Sequence, residues 1–124
     1  MNEEVNVRLD DIKNLFADMM YDCEEAGSFD FAKFDANNSE QADKLIRNYI
    51  FRRYNQLRCD EKKWLKLSLS YFLTYEPNQF NKLNEDGYIP IKVTSDLMEK
   101  IWFVLFSNES YAFKGKPNNI LYDA

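Results

Sequence analysis

This sequence contains no histidine, and only three glycines, three prolines and two cysteines, in 124 residues. Without histidine, Ser-His-Asp and Cys-His catalytic arrangements are excluded, and no imidazole is available for acid–base chemistry or for a zinc site. The glycines stand apart at Gly27, Gly87 and Gly115, so the chain has no Walker loop and no glycine-rich dinucleotide turn. So little glycine and proline argues against a turn-rich β-sandwich and favours helices joined by short links.

Long apolar runs and paired cysteines are also missing. The longest uninterrupted apolar run, Ile101–Phe106, is far shorter than the roughly 20 residues of a membrane-spanning helix. The acidic start of the chain has no apolar signal core, and Cys23 and Cys59 form no CxxC pair, so we expect two reduced thiols in the core. These absences predict a cytoplasmic protein with no membrane segment, no metal and no cofactor.

The chain does have charge of both signs, separated along its length. Residues 1–43 hold twelve acidic and three basic residues, residues 44–66 hold two and eight, and residues 67–124 hold seven and five. Hydrophobic residues make up 45% of the chain, which is ample for a packed core. We therefore expect a single helical domain over residues 1–124.

Apolar periodicity predicts a mainly α fold, a compact bundle of four to five helices with short links. The first helix is predicted over 4–26 and ends at Gly27, which can adopt a left-handed conformation without a Cβ clash. One side of this helix carries its apolar residues, at spacings of four and three. They are Val5, Leu9, Ile12, Phe16, Met19 and Cys23.

The second helix is predicted over 39–58, after a link at 28–38. Asn38 or Ser39 can cap it, and Gln41, three residues after Asn38, fits a capping box. Its apolar face consists of Ala42, Leu45, Ile46, Tyr49, Ile50 and Leu57.

Two more helices are predicted in the second half, over 61–75 and about 95–107. The first ends before Pro77, and the second begins after a cap at Thr94 or Ser95. The alternation at 64–71 and the apolar run at 101–106 are also compatible with strands, so these two segments stay ambiguous. A minor β element near 88–93 is compatible with the extended character there, although Pro90 limits it to an edge strand or an irregular segment. Residues 108–124 are predicted to form a polar tail with some docked aromatic residues.

The acidic residues of the first helix fall on one side, away from its apolar stripe. This acidic stripe is a candidate docking surface for a basic partner, because complementary charge speeds association and selects the partner. The alternatives are an ordinary solvated face, or one neutralised by the basic segment of the same chain. The candidate partner-binding residues are Asp11, Asp18, Tyr21, Asp22, Glu25, Asp30, Phe34 and Asp35.

Helical spacing places two residues of the second helix on the face opposite to the one expected for their side chains. Arg53 falls in the middle of the apolar face, where it is expected to pair with an acid of another helix or to extend outward to solvent, or else to line a pocket. Phe51 falls on the polar face among basic residues, either packed against another part of the chain or available to stack on a nucleic-acid base. This alternative basic surface consists of Lys44, Arg47, Phe51 and Arg58.

A resemblance to a known class rests on three features. The acidic opening from Asp10-Asp11 to Glu24-Glu25, the aromatic and acidic link Phe29–Asp35, and the lack of catalytic residues resemble the small acidic bacterial immunity proteins. Those proteins neutralise colicins or contact-dependent growth inhibition toxins. The resemblance implies a cytosolic, non-enzymatic inhibitor that binds a toxin domain, often a basic nuclease, and blocks its active site with a carboxylate-rich surface.

The leading hypothesis from the sequence is therefore a non-enzymatic immunity protein that binds a basic toxin domain. The alternative is a nucleic-acid-associated or regulatory module that uses the basic segment 44–66, although the overall charge of −5 disfavours contact with nucleic acid. A homodimer held by spare helix faces is a third hypothesis. Catalysis by paired carboxylates is formally open, but any two of the 21 acids could be paired by folding, so nothing in the sequence specifies it.

Overall fold

The computed structural model describes residues 5–21, 34–35, 37–107 and 109–122, and of Met20 and Tyr21 it describes the backbone only. The fold is mainly helical with a small two-stranded parallel sheet, as the apolar periodicity predicts. In chain order the elements are β1 (Asn6–Arg8), α1 (Leu9–Lys13), a 3₁₀ turn (Asn14–Phe16), α2 (Ala17–Tyr21), α3 (Ser39–Leu45), a π-helical turn (Ile46–Phe51), α4 (Arg52–Gln56), α5 (Cys59–Tyr75), a 3₁₀ helix (Pro77–Asn84), α6 (Ser95–Phe106) and β2 (Asn119–Leu121).

The first helix begins at Leu9, and its predicted start at residue 4 is wrong. Asn6–Arg8 instead forms β1, which pairs in parallel with β2 so that Val7 lies opposite Ile120. The backbone N–H of Arg8 donates to Oγ of the fully buried Ser68 on α5 at 3.0 Å. These longer-range bonds replace the helical ones because Asn6 and Val7 are weak helix formers.

The apolar stripe of this first helix is confirmed where the structure describes it. Leu9, Ile12, Phe16 and Met19 are fully buried, and Val5 packs against the core at its edge. The other predictions for this stretch, the stripe position Cys23 and the stop at Gly27, lie outside the described residues.

The second helix runs from Ser39 to Gln56, with a π-helical turn in its middle. The side chain of Asn38 caps it by accepting hydrogen bonds from the backbone N–H groups of Glu40 and Gln41, each at 3.1 Å. Gln41 does not complete the capping box, because its Oε1 accepts instead from the backbone N–H of Asp35 at 2.7 Å. The predicted apolar face of this helix is buried throughout, including Leu57 just beyond its end.

Both ambiguous segments, 64–71 and 101–106, are helical. Helix α5 begins after Arg58, whose backbone N–H donates to Oε1 of Glu61 at 2.9 Å, and it ends two residues before Pro77. Helix α6 begins after Thr94, whose Oγ1 accepts from the Leu97 N–H at 3.2 Å. The core between these helices is aromatic: Phe16, Phe72, Phe80 and Trp102 are its largest fully buried side chains.

The segment 88–93 is irregular, which is one of the two possibilities that Pro90 leaves open, and the minor β element lies instead at β1 and β2. The side chain of Asn84 takes the backbone bonds that a neighbouring strand would supply. Its Nδ2 donates to the carbonyl of Ile91 at 2.7 Å, and its Oδ1 accepts from the N–H of Val93 at 2.8 Å. A turn precedes this segment, with the Gly87 N–H donating to the Asn84 carbonyl at 3.1 Å and Gly87 at a φ of 76°.

The C-terminal tail lies along α5 and ends in β2. Ser70 and Thr74 donate their hydroxyls to the carbonyl of Tyr111 at 2.7 and 3.0 Å, and the Phe113 N–H donates back to Thr74 Oγ1 at 3.0 Å. Phe113 is buried, as predicted for some of the tail aromatics. Cys59 is a free thiol but lies exposed at the start of α5, so the expectation of a core thiol is wrong for this residue.

Candidate functional site

The acidic stripe of the first helix is not fully open to solvent where it is described. Asp11 and Asp18 are half-buried, and each has a carboxylate oxygen, Oδ2, enclosed without a hydrogen-bond partner within the described part of the chain. Asp11 also lies beside Arg8, with 3.4 Å between Arg8 Nε and Asp11 Oδ2. Burial raises the pKa of Asp11, and Arg8 only partly offsets this. The expectation of freely exposed carboxylates fails at these two positions, and their role in binding stays a prediction.

Of the other predicted partner-binding residues, the structure describes only some. Asp22, Glu25 and Asp30, together with the side chain of Tyr21, lie outside the described residues. Phe34 is partly buried and packs against the core. Asp35 is exposed, and its Oδ1 accepts a hydrogen bond from the backbone N–H of Asn37 at 2.9 Å.

Asn37 lines a cleft that was not predicted from the sequence. This Phe103 cleft, of about 320 Å³, is lined by Asn37 and by one face of α6. Phe103 itself is 46% exposed, which is unusual for a phenylalanine in a helix that otherwise supplies the core. The α6 residues that line the cleft are Asp96, Glu99, Lys100 and Phe103.

The Phe103 cleft is lined by two carboxylates, those of Asp96 and Glu99, and by one lysine, Lys100. Asp96 is exposed and Glu99 is half-buried, and within the described ranges neither is in an ion pair. Asp35, two residues before Asn37, is likewise in no ion pair with a described residue. The cleft therefore combines an exposed aromatic ring with negative charge.

A signal for this cleft was present in the sequence. Asp96, Glu99 and Phe103 are spaced three and four apart, so they share one helical face. The helix is apolar nearly all round, and for that reason it is predicted to be central. The prediction of a central helix is correct for one side of α6, but it takes no account of the polar stripe on the other side. The buried residues are Leu97, Met98, Ile101 and Trp102.

The basic segment is mostly occupied by contacts within the chain. Nε of Arg47 lies 3.0 Å from both carboxylate oxygens of Asp43, and Nζ of Lys66 lies 2.9 Å from Glu109. The Nε atom of Arg58 lies 3.4 Å from Glu61. Cation–π contacts place Lys62 over Tyr54, and Lys63 over Trp64.

Phe51 is 41% exposed, so it does not pack into the core. Of the predicted basic surface around it, Arg47 and Arg58 are paired with acids, and Lys44 is exposed and in no ion pair with a described residue. A groove for a nucleic-acid backbone needs several uncompensated cations. The pairing of Arg47 and Arg58 therefore weakens the alternative hypothesis of a nucleic-acid module.

Arg53 is half-buried and bonds to Asn14 across the bundle, so among the described residues its partner is an amide and not the acid that was expected. Its Nε donates to the backbone carbonyl of Asn14 at 3.2 Å and its Nη2 to the side-chain oxygen at 2.7 Å. It lines an Arg53 cleft of about 610 Å³, as the third possibility raised by the sequence requires. Charged side chains of both signs line this cleft with it: Arg8, Asp10, Asp11, Lys13 and Glu61.

Two tyrosines with raised pKa values, Tyr71 and Tyr122, belong to contacts that fix the tail. Burial, and next a hydrogen bond to Glu76, raise the pKa of Tyr71 from 10.0 to about 12. The same carboxylate raises the pKa of Tyr122 through a hydrogen bond. In the described ranges, no group of three or more acidic or cysteine side chains is arranged to hold a metal ion.

No described helix is both long and apolar enough to cross a membrane. Comparison of the whole chain with protein-family models, curated proteins and solved structures finds no match. The function must therefore be argued from the two clefts and their charges.

Proposed function

We propose that this chain is a non-enzymatic binding protein that docks a basic protein partner at the Phe103 cleft. We further propose that it acts in the bacterial cytoplasm as an immunity protein that neutralises a toxin with a basic nuclease domain. The observation that carries the proposal is the exposure of Phe103, 46%, beside the carboxylates of Asp96 and Glu99, neither of which forms an ion pair with a described residue.

An exposed aromatic ring among carboxylates suits a lysine or arginine of a partner. The flat face of Phe103 can accept a cation at van der Waals distance, and the acids on the same helical face can pair with its charge. Aromatic anchors carry a large share of the energy in protein interfaces, whereas surrounding charges mainly steer the encounter. The Phe103 cleft supplies both parts.

The acids alone would not support this proposal. Asp96 lies in the first turn of α6, where a negative charge stabilises any helix through the helix dipole. That explanation covers neither Glu99, one turn further on, nor the exposed ring of Phe103. Asp35, from the predicted partner-binding set, extends the negative charge at Asn37, and Asp11 and Asp18 stay candidates for a wider interface.

The test compares two double variants as baits for proteins from the native host. F103A/E99Q removes the proposed anchor and one acid, and the control F51A/E85Q removes an exposed aromatic and an exposed acid elsewhere. Wild type and control should capture the same basic protein, and F103A/E99Q should not. That protein should arrest growth when expressed alone and should be neutralised by wild type.

Two results would contradict the proposal. Equal capture by F103A/E99Q and by the control would exclude the Phe103 cleft as the docking surface. A gel shift with mixed RNA and DNA would instead favour the nucleic-acid module.

A further inference from the structure

Arg53 is held at one edge of its guanidinium group and free at the other. Asn14 accepts from Nε at 3.2 Å and from Nη2 at 2.7 Å, which are the two nitrogens of one edge of the planar group. A guanidinium has five N–H donors, and the remaining three include the Nη1 and Nη2 pair at its end. None of those three donates to any residue in the described part of the chain.

Arg53 is one of the residues that line the Arg53 cleft, of about 610 Å³. The residues that line this cleft come from five elements, β1, α1, α2, α4 and α5, and from the 3₁₀ turn that carries Asn14. Because Asn14 fixes the position of the guanidinium plane, the end pair of donors is pre-organised rather than mobile.

The other charges of the Arg53 cleft are largely paired with one another or with neighbours. Arg8 lies 3.4 Å from Asp11, and Lys13 is hydrogen-bonded to Asp86. Arg53 differs from both, since it is half-buried and has no carboxylate among its described partners. A partly dehydrated cation without a counter-ion is costly, and an incoming anion would remove that cost.

We propose that the Arg53 cleft binds a carboxylate, which accepts two parallel hydrogen bonds from Nη1 and Nη2 of Arg53. A carboxylate matches the spacing of this pair of donors. A phosphate dianion fits less well, because the carboxylates of Asp10, Asp11 and Glu61 line the same cleft and would repel the greater charge. This inference does not rest on the proposed function, and it can be tested without any protein partner.

The test follows the side-chain Nε–H signal of Arg53 by NMR while acetate is added to the full chain. Arg52, the exposed neighbour on α4, supplies an internal control in the same spectrum. The Arg53 signal should shift along a saturable curve and the Arg52 signal should not. R53K, which identifies the signal and keeps the charge, should abolish saturation at neighbouring backbone amides such as Asn14.

The variant N14A tests the role of pre-organisation. It leaves Arg53 in place but removes the side-chain acceptor, so affinity for acetate should fall by about tenfold, the change expected for one charge-assisted hydrogen bond. Unchanged affinity in N14A would overturn the proposed role of Asn14, and a linear shift equal at Arg52 and Arg53 would overturn the site itself. Tighter binding of inorganic phosphate than of acetate would overturn the choice of a carboxylate.

A second arm separates the two sources of a carboxylate. A blocked tripeptide, acetyl-Gly-Glu-Gly-amide, presents the group as a protein side chain would, and acetyl-Gly-Gln-Gly-amide is its matched control. Saturable binding of the glutamate peptide alone supports a protein-borne carboxylate. Binding of acetate without the peptide supports a small-molecule ligand, and binding of the glutamine peptide as well would overturn carboxylate recognition.

Discussion

The hydroxyl of Tyr122 donates to the carboxylate of Glu76, at 2.8 Å from Oε2 and 3.0 Å from Oε1, across 46 positions of the chain. Tyr71, near the end of α5, donates to the same Oε2 atom at 2.8 Å. One carboxylate therefore joins the end of the longest described helix to the residue just after β2. Because β2 pairs with β1, the same contact fixes both ends of the described chain to the body.

Replacing Glu76 by alanine should destabilise the protein by about 1–3 kcal/mol, because two tyrosine hydroxyls lose a charged acceptor. Urea unfolding followed by circular dichroism measures this change. E85A is the matched control, since Glu85 is exposed and in no ion pair with a described residue, and it should stay within about 0.5 kcal/mol of wild type. Equal losses in E76A and E85A would show that the tail is held mainly by its apolar contacts.

Stability should fall as pH rises through the alkaline range. The pKa of Tyr71 is about 12 in the fold and 10.0 in the reference state, so the unfolded chain loses its proton first. The contribution of Tyr71 is fully present below pH 10.0 and is lost as the pH approaches 12. Urea unfolding as a function of pH should show a smaller alkaline loss in Y71F than in wild type, and identical losses would contradict this assignment.

The sequence predicts the helices well because local patterns determine them. The buried stripe at Leu9, Ile12 and Phe16 and the cap at Asn38 all follow from spacing and capping rules. The sheet could not be predicted in this way, since β1 and β2 lie more than 100 residues apart and no local pattern relates them. The extended character of 88–93 misled for another reason, because the side chain of the nearby Asn84 supplies the hydrogen bonds that a strand partner would make.

Replacing Asn84 by aspartate should destabilise the irregular segment. The change removes the donor to the carbonyl of Ile91 and sets a carboxylate against that oxygen, at an expected cost of about 1–3 kcal/mol. N81D is the matched control, because Asn81 is exposed on the same 3₁₀ helix. Hydrogen exchange at the Val93 amide should quicken in N84D and stay unchanged in N81D.

The sequence indicates the polar stripe of α6 and the unusual position of Arg53, but it does not reveal the shape of either cleft, for two different physical reasons. The predicted position of Arg53 assumes regular helical spacing, but the π-helical turn Ile46–Phe51 bonds each residue one position further along and changes the direction of every later side chain. The exposure of Phe103 depends on which side of α6 its neighbours leave uncovered. Periodicity within α6 cannot reveal that.

The ionised side chain of Asp11 should destabilise the folded protein at neutral pH. Burial raises its pKa above 3.8, so the folded state binds the proton more tightly than the unfolded state. The ionised form is therefore disfavoured in the fold above that pH, and the penalty disappears where both states are protonated. D11N should be more stable than wild type near neutrality and equal to it in acid.

The exposed neighbour Asp10 provides the control for this prediction. D10N should leave the urea midpoint almost unchanged at both pH values, since Asp10 has no ion pair with any described residue. A lower stability of D11N near neutrality would mean that the contact with Arg8 outweighs burial. In that case the direction of the pKa shift would be contradicted.

Once a basic partner has been identified, binding kinetics should distinguish the role of the carboxylates at the Phe103 cleft from the role of Phe103. The carboxylates should affect the association rate, and Phe103 the dissociation rate. The association rate of wild type should fall about tenfold or more from low to physiological salt, as the screening length shrinks from about 30 Å to about 8 Å. D96N/E99Q should flatten this dependence by slowing association at low salt. F103A should keep the salt dependence and raise the dissociation rate instead, because an anchor acts after the encounter. Surface plasmon resonance at several salt concentrations measures both rates, and an association rate that ignores salt in wild type would exclude steering by these carboxylates.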